Sequence, residues 1–224
     1  LFFYRLTMLK KKLFIVCLLI ILLLCIFVYL YQKISNQREQ KNTYQLNSYE
    51  LSLLKEGDLI FRQGFGLISD IIAGRTKENY TVSHCGILYK DSNNKWIVIH
   101  TVSNTLAEID GMQSDDLSKF VKNSKENSIL ILRYKNACDS TNALIKQKSF
   151  YYLNKQIAFD DAFTMEDSSE LFCTELIRKL YLDVYYIDIY KLHTENAYDE
   201  LDFSPFWDKN TFEPILSHQG KKTD

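Results

Sequence analysis

Ser168-Ser169-Glu170-Leu171-Phe172-Cys173-Thr174-Glu175-Leu176-Ile177-Arg178-Lys179-Leu180-Tyr181 is the stretch on which the fold of this chain turns. Leu176, Ile177, Leu180 and Tyr181 recur at i, i+1, i+4 and i+5, the spacing of a helix with one apolar face. Two serines and Glu170 stand upstream, the composition of a helix start, so Cys173 falls in or just before the first turn. Unpaired backbone N–H groups and the positive dipole end there stabilise an anion. A free thiol titrates near ~8.5, and a helix N-terminus or a neighbouring imidazolium lowers that value. A cysteine so placed asks for a histidine elsewhere in the chain.

Two strand-like stretches supply it. Ser83 to Lys90 and Lys95 to Val102 flank the turn residues Asp91-Ser92-Asn93-Asn94 and form an antiparallel hairpin. Alternation puts His84, Gly86 and Leu88 on one face of the first strand and Cys85, Ile87 and Tyr89 on the other. Trp96, Val98 and His100 share a face of the second. An odd-length loop turns His84 and His100 the same way, and a turn centred on Ser92 sets them directly opposite. Nucleophile Cys173, base His84 and orienting His100 are then the parts of thiolate catalysis, with the Cys173 N–H donating to the oxyanion. Glu108 or a backbone carbonyl is the alternative orienting group.

Elsewhere, Gly57-Asp58-Leu59-Ile60-Phe61-Arg62 reads as a turn entering a first strand, and Leu67 to Ala73 as a helix. Tyr49 to Lys55 reads as a short helix. Ser114 reads as the cap of an amphipathic helix over Asp115 to Val121. Ser128 to Tyr134 is a core strand, and Ser140 or Thr141 starts a helix running to about Leu153. Asp58 and Asp160 read as turn or cap residues, Glu175 as a capping carboxylate, and Val184–Tyr190 as a strand.

The N-terminus has a different character. Leu13 to Tyr31 is an uncharged apolar run of 19 residues, which as a helix reaches ~28 Å, enough for a bilayer core. Lys10, Lys11 and Lys12 precede it, and Met8 heads a shorter start. No small residues follow the run as signal-peptide cleavage requires, so it reads as an uncleaved anchor. The packed lysines argue for an N-terminus inside and a domain in the cell envelope, outside the cytoplasm. The division is a basic flank, 1–12; a transmembrane anchor, 13–31; a polar tether, 32–48; and one domain, 49–224.

Composition narrows the function further. The chain has 224 residues, 46% hydrophobic and 25% charged, with a net charge of −1, which excludes the basic field that nucleic acid needs. Cys17 and Cys25 lie in the apolar run; Cys85, Cys138 and Cys173 remain, an odd count that excludes a disulfide scaffold. A Cys85–Cys138 bridge is allowed by arithmetic alone. No spacing suits a metal, no glycine loop cradles phosphate and no Gly-x-Ser-x-Gly elbow occurs. No cofactor is expected.

Four segments in order carry a resemblance: Gly57-Asp58-Leu59-Ile60-Phe61, Ser83-His84-Cys85-Gly86-Ile87-Leu88-Tyr89, Phe159-Asp160, and Phe172-Cys173-Thr174-Glu175-Leu176. Together they resemble the YiiX-like group of circularly permuted, NlpC-type, papain-like cysteine hydrolases. The resemblance implies an α+β fold, with a small antiparallel barrel-like sheet packed on the helix bearing the cysteine. It implies His84 as base, Cys173 as nucleophile and, at the end of the second strand, His100 as third polar residue. Cys85 stands where the family usually has a small aliphatic residue, and Thr174 where serine is common. The implied activity is hydrolysis of an amide or ester in a cell-wall peptide, a small amide conjugate or a lipid. The alternatives are a lipid acyltransferase or lipase of the lecithin–retinol acyltransferase type, and a binding domain with a relict site.

Overall fold

The computed structural model describes residues 2–75, 80–105, 109–165, 169–192 and 202–219, with side chains from residue 10 onward. Glu108 and Ser168 therefore lie outside the described residues. The elements in chain order are α1 (Phe2–Lys41), α2 (Ser48–Leu53), β1 (Leu59–Arg62), α3 (Leu67–Arg75), β2 (His84–Lys90), β3 (Trp96–Val102), β4 (Gly111–Asp116), α4 (Leu117–Lys122), β5 (Leu130–Tyr134), α5 (Asp139–Lys155), α6 (Cys173–Tyr185) and β6 (Phe212–Ser217).

The strands form one antiparallel sheet in the order β4-β3-β2-β1-β5-β6. Alternation along each strand feeds two apolar layers. Leu59, Phe61, Cys85, Ile87, Tyr89 and Ile99 point one way and meet Leu176, Ile177, Leu180 and Tyr181 of α6 with Ile145 and Tyr152 of α5. Ile60, Leu88, Val98 and Ile131 point the other way, against Leu117, Phe120 and Val121 of α4 and against Leu46 and Leu54. Both faces are covered, so the central strands are almost wholly apolar.

Helix α6 starts at the expected place. Cys173 is its first residue, and the Glu175 carboxylate reaches back to accept from the Phe172 N–H at 3.4 Å. Buried Asp160 accepts from the N–H groups of Ala162, Phe163 and Thr164, holding the loop that leads there. Thr101 of β3 donates to the Leu171 carbonyl at 2.9 Å and pins the segment just before the cysteine. Asp58 is a turn residue with a larger part: it takes a forked ion pair from Arg133, at 2.7 and 2.8 Å, beneath the sheet.

Four expectations are corrected. Ser114 caps nothing; it lies in β4, and α4 begins at Leu117 after Asp116. Val184–Tyr190 is not a strand: α6 runs through Tyr185 and a 3₁₀ turn occupies Ile189–Lys191. The first ten residues of the 32–48 tether are helical, because α1 continues unbroken to Lys41. The hairpin pairs Ile87 with Ile99 and Leu88 with Val98, so its turn centres on Asn93, with Asn94 in the left-handed region. Asp91 sets that turn by accepting from the N–H groups of Asn93 and Lys95.

Candidate active site

The hairpin register brings His84 and His100 onto one face, as parity requires. His100 lies across from Gly86, and a Cβ at that glycine would stand 3.1 Å from the His100 Cβ and 2.5 Å from Val98 Cγ1. The missing side chain is therefore what lets β3 pass this close to β2 and bring His100 beside His84. The rings sit 5.0 Å apart, edge to face, and His84 Nε2 lies 2.8 Å from His100 Nδ1. Beyond them Asp115, on β4, lies 3.3 Å from His100 Nε2, and its other oxygen takes Lys119 at 2.7 Å.

Protonation follows from this geometry. The Asp115 carboxyl is held well below the usual carboxylate range, chiefly by the His100 ring facing it, with Lys119 adding to the effect. Burial pushes the His84 imidazole far below its ordinary value, with the charges of His100 and Arg62 acting in the same sense. Burial lowers His100 too, although Asp115 opposes it. With both rings neutral and Asp115 ionised, one assignment satisfies the chain: His100 Nε2–H donates to Asp115, and His84 Nε2–H donates to His100 Nδ1. His84 Nδ1 is then the acceptor left over, the atom a base must offer.

Arg62 completes this face. It pairs in register with His84 at the end of β1, lies over the Phe120 ring at 4.2 Å, and donates through Nη1 to the carbonyls of Phe120 and Asn123, both at 3.0 Å. Its Nε is buried without a partner, and burial lowers the guanidinium to about 10. A groove of about 1190 Å³ opens over Arg62, His84, His100 and Asp115.

The sulfur occupies the other layer. Cys173 packs at the edge of the α6-side core, beside Cys85. The neighbouring Cys85 thiol is the main cause lowering the Cys173 thiol. Burial opposes it, and the N–H groups of Cys85, Thr174 and Cys173 assist. Burial, reinforced by the same partner, pushes Cys85 well above its ordinary value. The pair is thus polarised so that Cys173 ionises first. Its sulfur also lies within the field of Arg62. Among the described contacts no hydrogen bond joins Cys173 to His84. The structure gathers the two histidines, and sets the cysteine against the residue next to His84, on the other side of the strand.

Sequence reasoning missed Asp115 and Arg62. It placed Asp115 inside a helix, whereas its position on β4, paired with Val98, aims it at His100. Arg62 carried a signal: a lone arginine ending an apolar strand, one place beyond Phe61. Cys138, at the start of α5, is exposed and lowered to about 7 by the hydroxyls of Ser140 and Thr141.

Residues 53–217 match the family described as permuted papain-like amidase enzymes, YaeF/YiiX, C92 family. The chain belongs to this family. As a C92 member it is a papain-like cysteine hydrolase, and its mixed sheet-and-helix architecture is the permuted form of that fold. A crystal structure titled metalloprotein yiiX from Escherichia coli O157:H7 superposes with a TM-score of 0.59, at 15% identity, over 74% of this chain and 98% of that one. No curated protein matches. The word metalloprotein belongs to that neighbour. Among the described residues of this C92 chain, no three His, Cys, Asp or Glu side chains cluster as a metal ion would require.

Proposed function

We propose that this C92 enzyme is anchored by residues 13–31, with its domain on the non-cytoplasmic side of the membrane, and cleaves an amide or ester through a thioester on Cys173. The observation that carries the reading is the place of Cys173 as first residue of α6, packed beside Cys85, with a hydrogen-bonded imidazole on the residue before Cys85. His84 Nδ1 takes the Cys173 proton. The thiolate attacks the carbonyl carbon, forming the C–S bond, and the oxyanion is met by the N–H groups of the first turn. The imidazolium returns its proton to the leaving amine or alcohol as the C–N or C–O bond breaks. Water, deprotonated by His84, then cleaves the thioester and restores the thiol. His100 holds the His84 ring, and Asp115 holds His100 in one tautomer.

The thiol–imidazole contact forms by side-chain rotation or through one water, since catalytic hydrogen bonds commonly tighten only when substrate is bound. His84 is the first residue of β2 and lines the open groove, which leaves its ring room to turn. The anchor assignment rests on a single helix, Lys10–Lys41, long and apolar enough to cross a bilayer and unburied over its most apolar 18-residue window.

The test is alkylation of the full chain in detergent by limiting iodoacetamide, with the modified residue mapped at each pH. Cys138 must first be replaced, because its exposed, lowered thiol reacts on its own account. In the Cys138→Ala background Cys173 is expected to be labelled well below pH 8 and Cys85 last. Equal, slow labelling of the two would remove the nucleophile from the scheme.

A further inference from the structure

Helix α1 does not hand over to a flexible tether; it becomes a wall of the groove. Its residues Gln32, Asn36, Glu39 and Gln40, one face of the helix, line the same cavity as Arg62 and the two histidines. Half-buried Glu39 lies within the field of Arg62. Four hydrogen bonds fix the helix and the residue that follows it to the domain. Buried Ser35 accepts from the Gly66 N–H at 2.7 Å, Tyr31 donates to Asp70, and Asn42 donates to the carbonyls of Lys122 and Ser124 at 2.6 and 2.7 Å.

These contacts also give the direction of α3. Gly66 meets Ser35 while Asp70, one turn later, meets Tyr31, one turn earlier. So α3 runs antiparallel to α1, back toward the apolar run, and the same register brings Ile71 level with Leu30. Ile71 is 53% exposed, and Ile68, on the rim of the groove, is 44% exposed. Tyr31 ends the apolar run and Glu39 stands eight residues later, ~12 Å along the axis. The headgroup layer beyond the hydrocarbon is ~5–8 Å deep. Gln32, one residue past Tyr31 and ~1.5 Å along the axis, sets the mouth of the groove within that layer, whereas Glu39, beside Arg62, stands a few Å beyond it.

We infer that α3 is a second membrane contact, seated through Ile68 and Ile71 in the headgroup layer of the bilayer that α1 spans. The groove then receives a membrane-embedded acyl amphiphile whose acyl chain enters from the headgroup layer and whose amide or ester bond stands just outside it, at the level of Glu39. The docking follows from continuity with the anchor; the substrate class rests in addition on the hydrolase reading above. A rigid helix offers no reach toward a distant polymer, whereas a lipid diffuses laterally to the groove.

The experiment uses the full chain in phosphatidylcholine–phosphatidylglycerol vesicles with brominated acyl chains. Ile71→Trp is compared with Tyr151→Trp, an exposed position on α5, after subtraction of the parent emission from Trp96 and Trp207. The new tryptophan at 71 is expected to lose at least half its emission to the brominated lipid, and that at 151 almost none. Equal quenching at the two positions would overturn the docking and leave the exposed isoleucines to a protein partner. The same vesicles then carry a fluorogenic long-chain acyl amide or ester, compared with its water-soluble short-chain counterpart. Cleavage at least 10-fold faster for the embedded compound is expected; equal or faster cleavage of the soluble one overturns the substrate class. Quenching does not depend on chemistry, so it persists in Cys173→Ala, and a failed hydrolase reading is thereby told apart from failed docking.

Discussion

The two faces of the sheet divide the work. On the α6 side, Cys85 and Cys173 sit among Leu176, Ile177 and Tyr181, a layer with few polar neighbours. On the α4 side, His84, His100, Arg62 and Asp115 border an open groove, and Phe120 is the apolar floor beneath the rings. The sulfur is tuned by the neighbouring Cys85 thiol and a helix start; the imidazoles are tuned by burial and by the charges of their own network. On the proposed reading, the contrast keeps nucleophile and base under separate control on one sheet. A strand end, where adjacent residues look opposite ways, is the place where the two can meet.

The most direct way to break this division is to remove either half. Cys173→Ala is expected to abolish hydrolysis, a loss on the order of 10³-fold or more, while circular dichroism and thermal unfolding stay near those of the parent. His84→Ala is expected to lower kcat/KM by ~10²–10⁴-fold, the usual worth of a positioned base, and to slow Cys173 alkylation only modestly. If His84→Ala retained parental kcat/KM, the groove face would have no part in the chemistry.

Two finer changes separate the controls. Asp115→Asn frees His100 to adopt the other tautomer, and kcat is expected to fall on the order of 10-fold with the alkylation profile of Cys173 unmoved. Cys85→Ala removes the thiol beside the thiolate. A hydrogen bond to a charged group is worth ~1.5–3 kcal/mol and S–H is a weak donor, so the alkylation midpoint of Cys173 is expected to rise by about 1 pH unit. An unshifted midpoint would mean that the helix start alone tunes the sulfur.

The smallest effect is on stability. His84 and His100 titrate lower in the fold than in the unfolded chain, so below ~6.5 the unfolded state binds more protons and stability falls with pH. Asp115 is depressed, so its contribution is present above ~3.9 and disappears only below that. Between pH 7 and 5 a loss on the order of 2 kcal/mol is expected from the histidines, read by denaturant unfolding at each pH. His84→Gln is expected to halve that slope.

Much of this was legible in the chain. Period-2 alternation showed that His84 and His100 share a face, and the 3.6-period of Leu176, Ile177 and Leu180 located the helix that Cys173 begins. The four ordered segments pointed to the permuted papain-like family. What alternation cannot say is which face a distant helix covers: that depends on packing between Cys173 and Cys85, 88 positions apart in the sequence. The hairpin register also escaped, because turn residues fix parity before they fix the centre. Strand β4 was hidden because Gln113-Ser114-Asp115-Asp116 lies at a sheet edge and faces a polar groove. Likewise Gln32 to Lys41 looked like solvated chain because most of it is exposed and the four residues of its inner face, Gln32, Asn36, Glu39 and Gln40, line a cavity in place of a core.

Gly86 carries a consequence for how this protein tolerates change. A single methyl there would collide with a valine branch and with the backbone carbonyl of Ile99 before it ever touched an imidazole. Conservative replacement at His100 leaves that crossing of two strands intact; alanine at Gly86 does not. The position with nothing to contribute chemically is the one where the hairpin has least room for error.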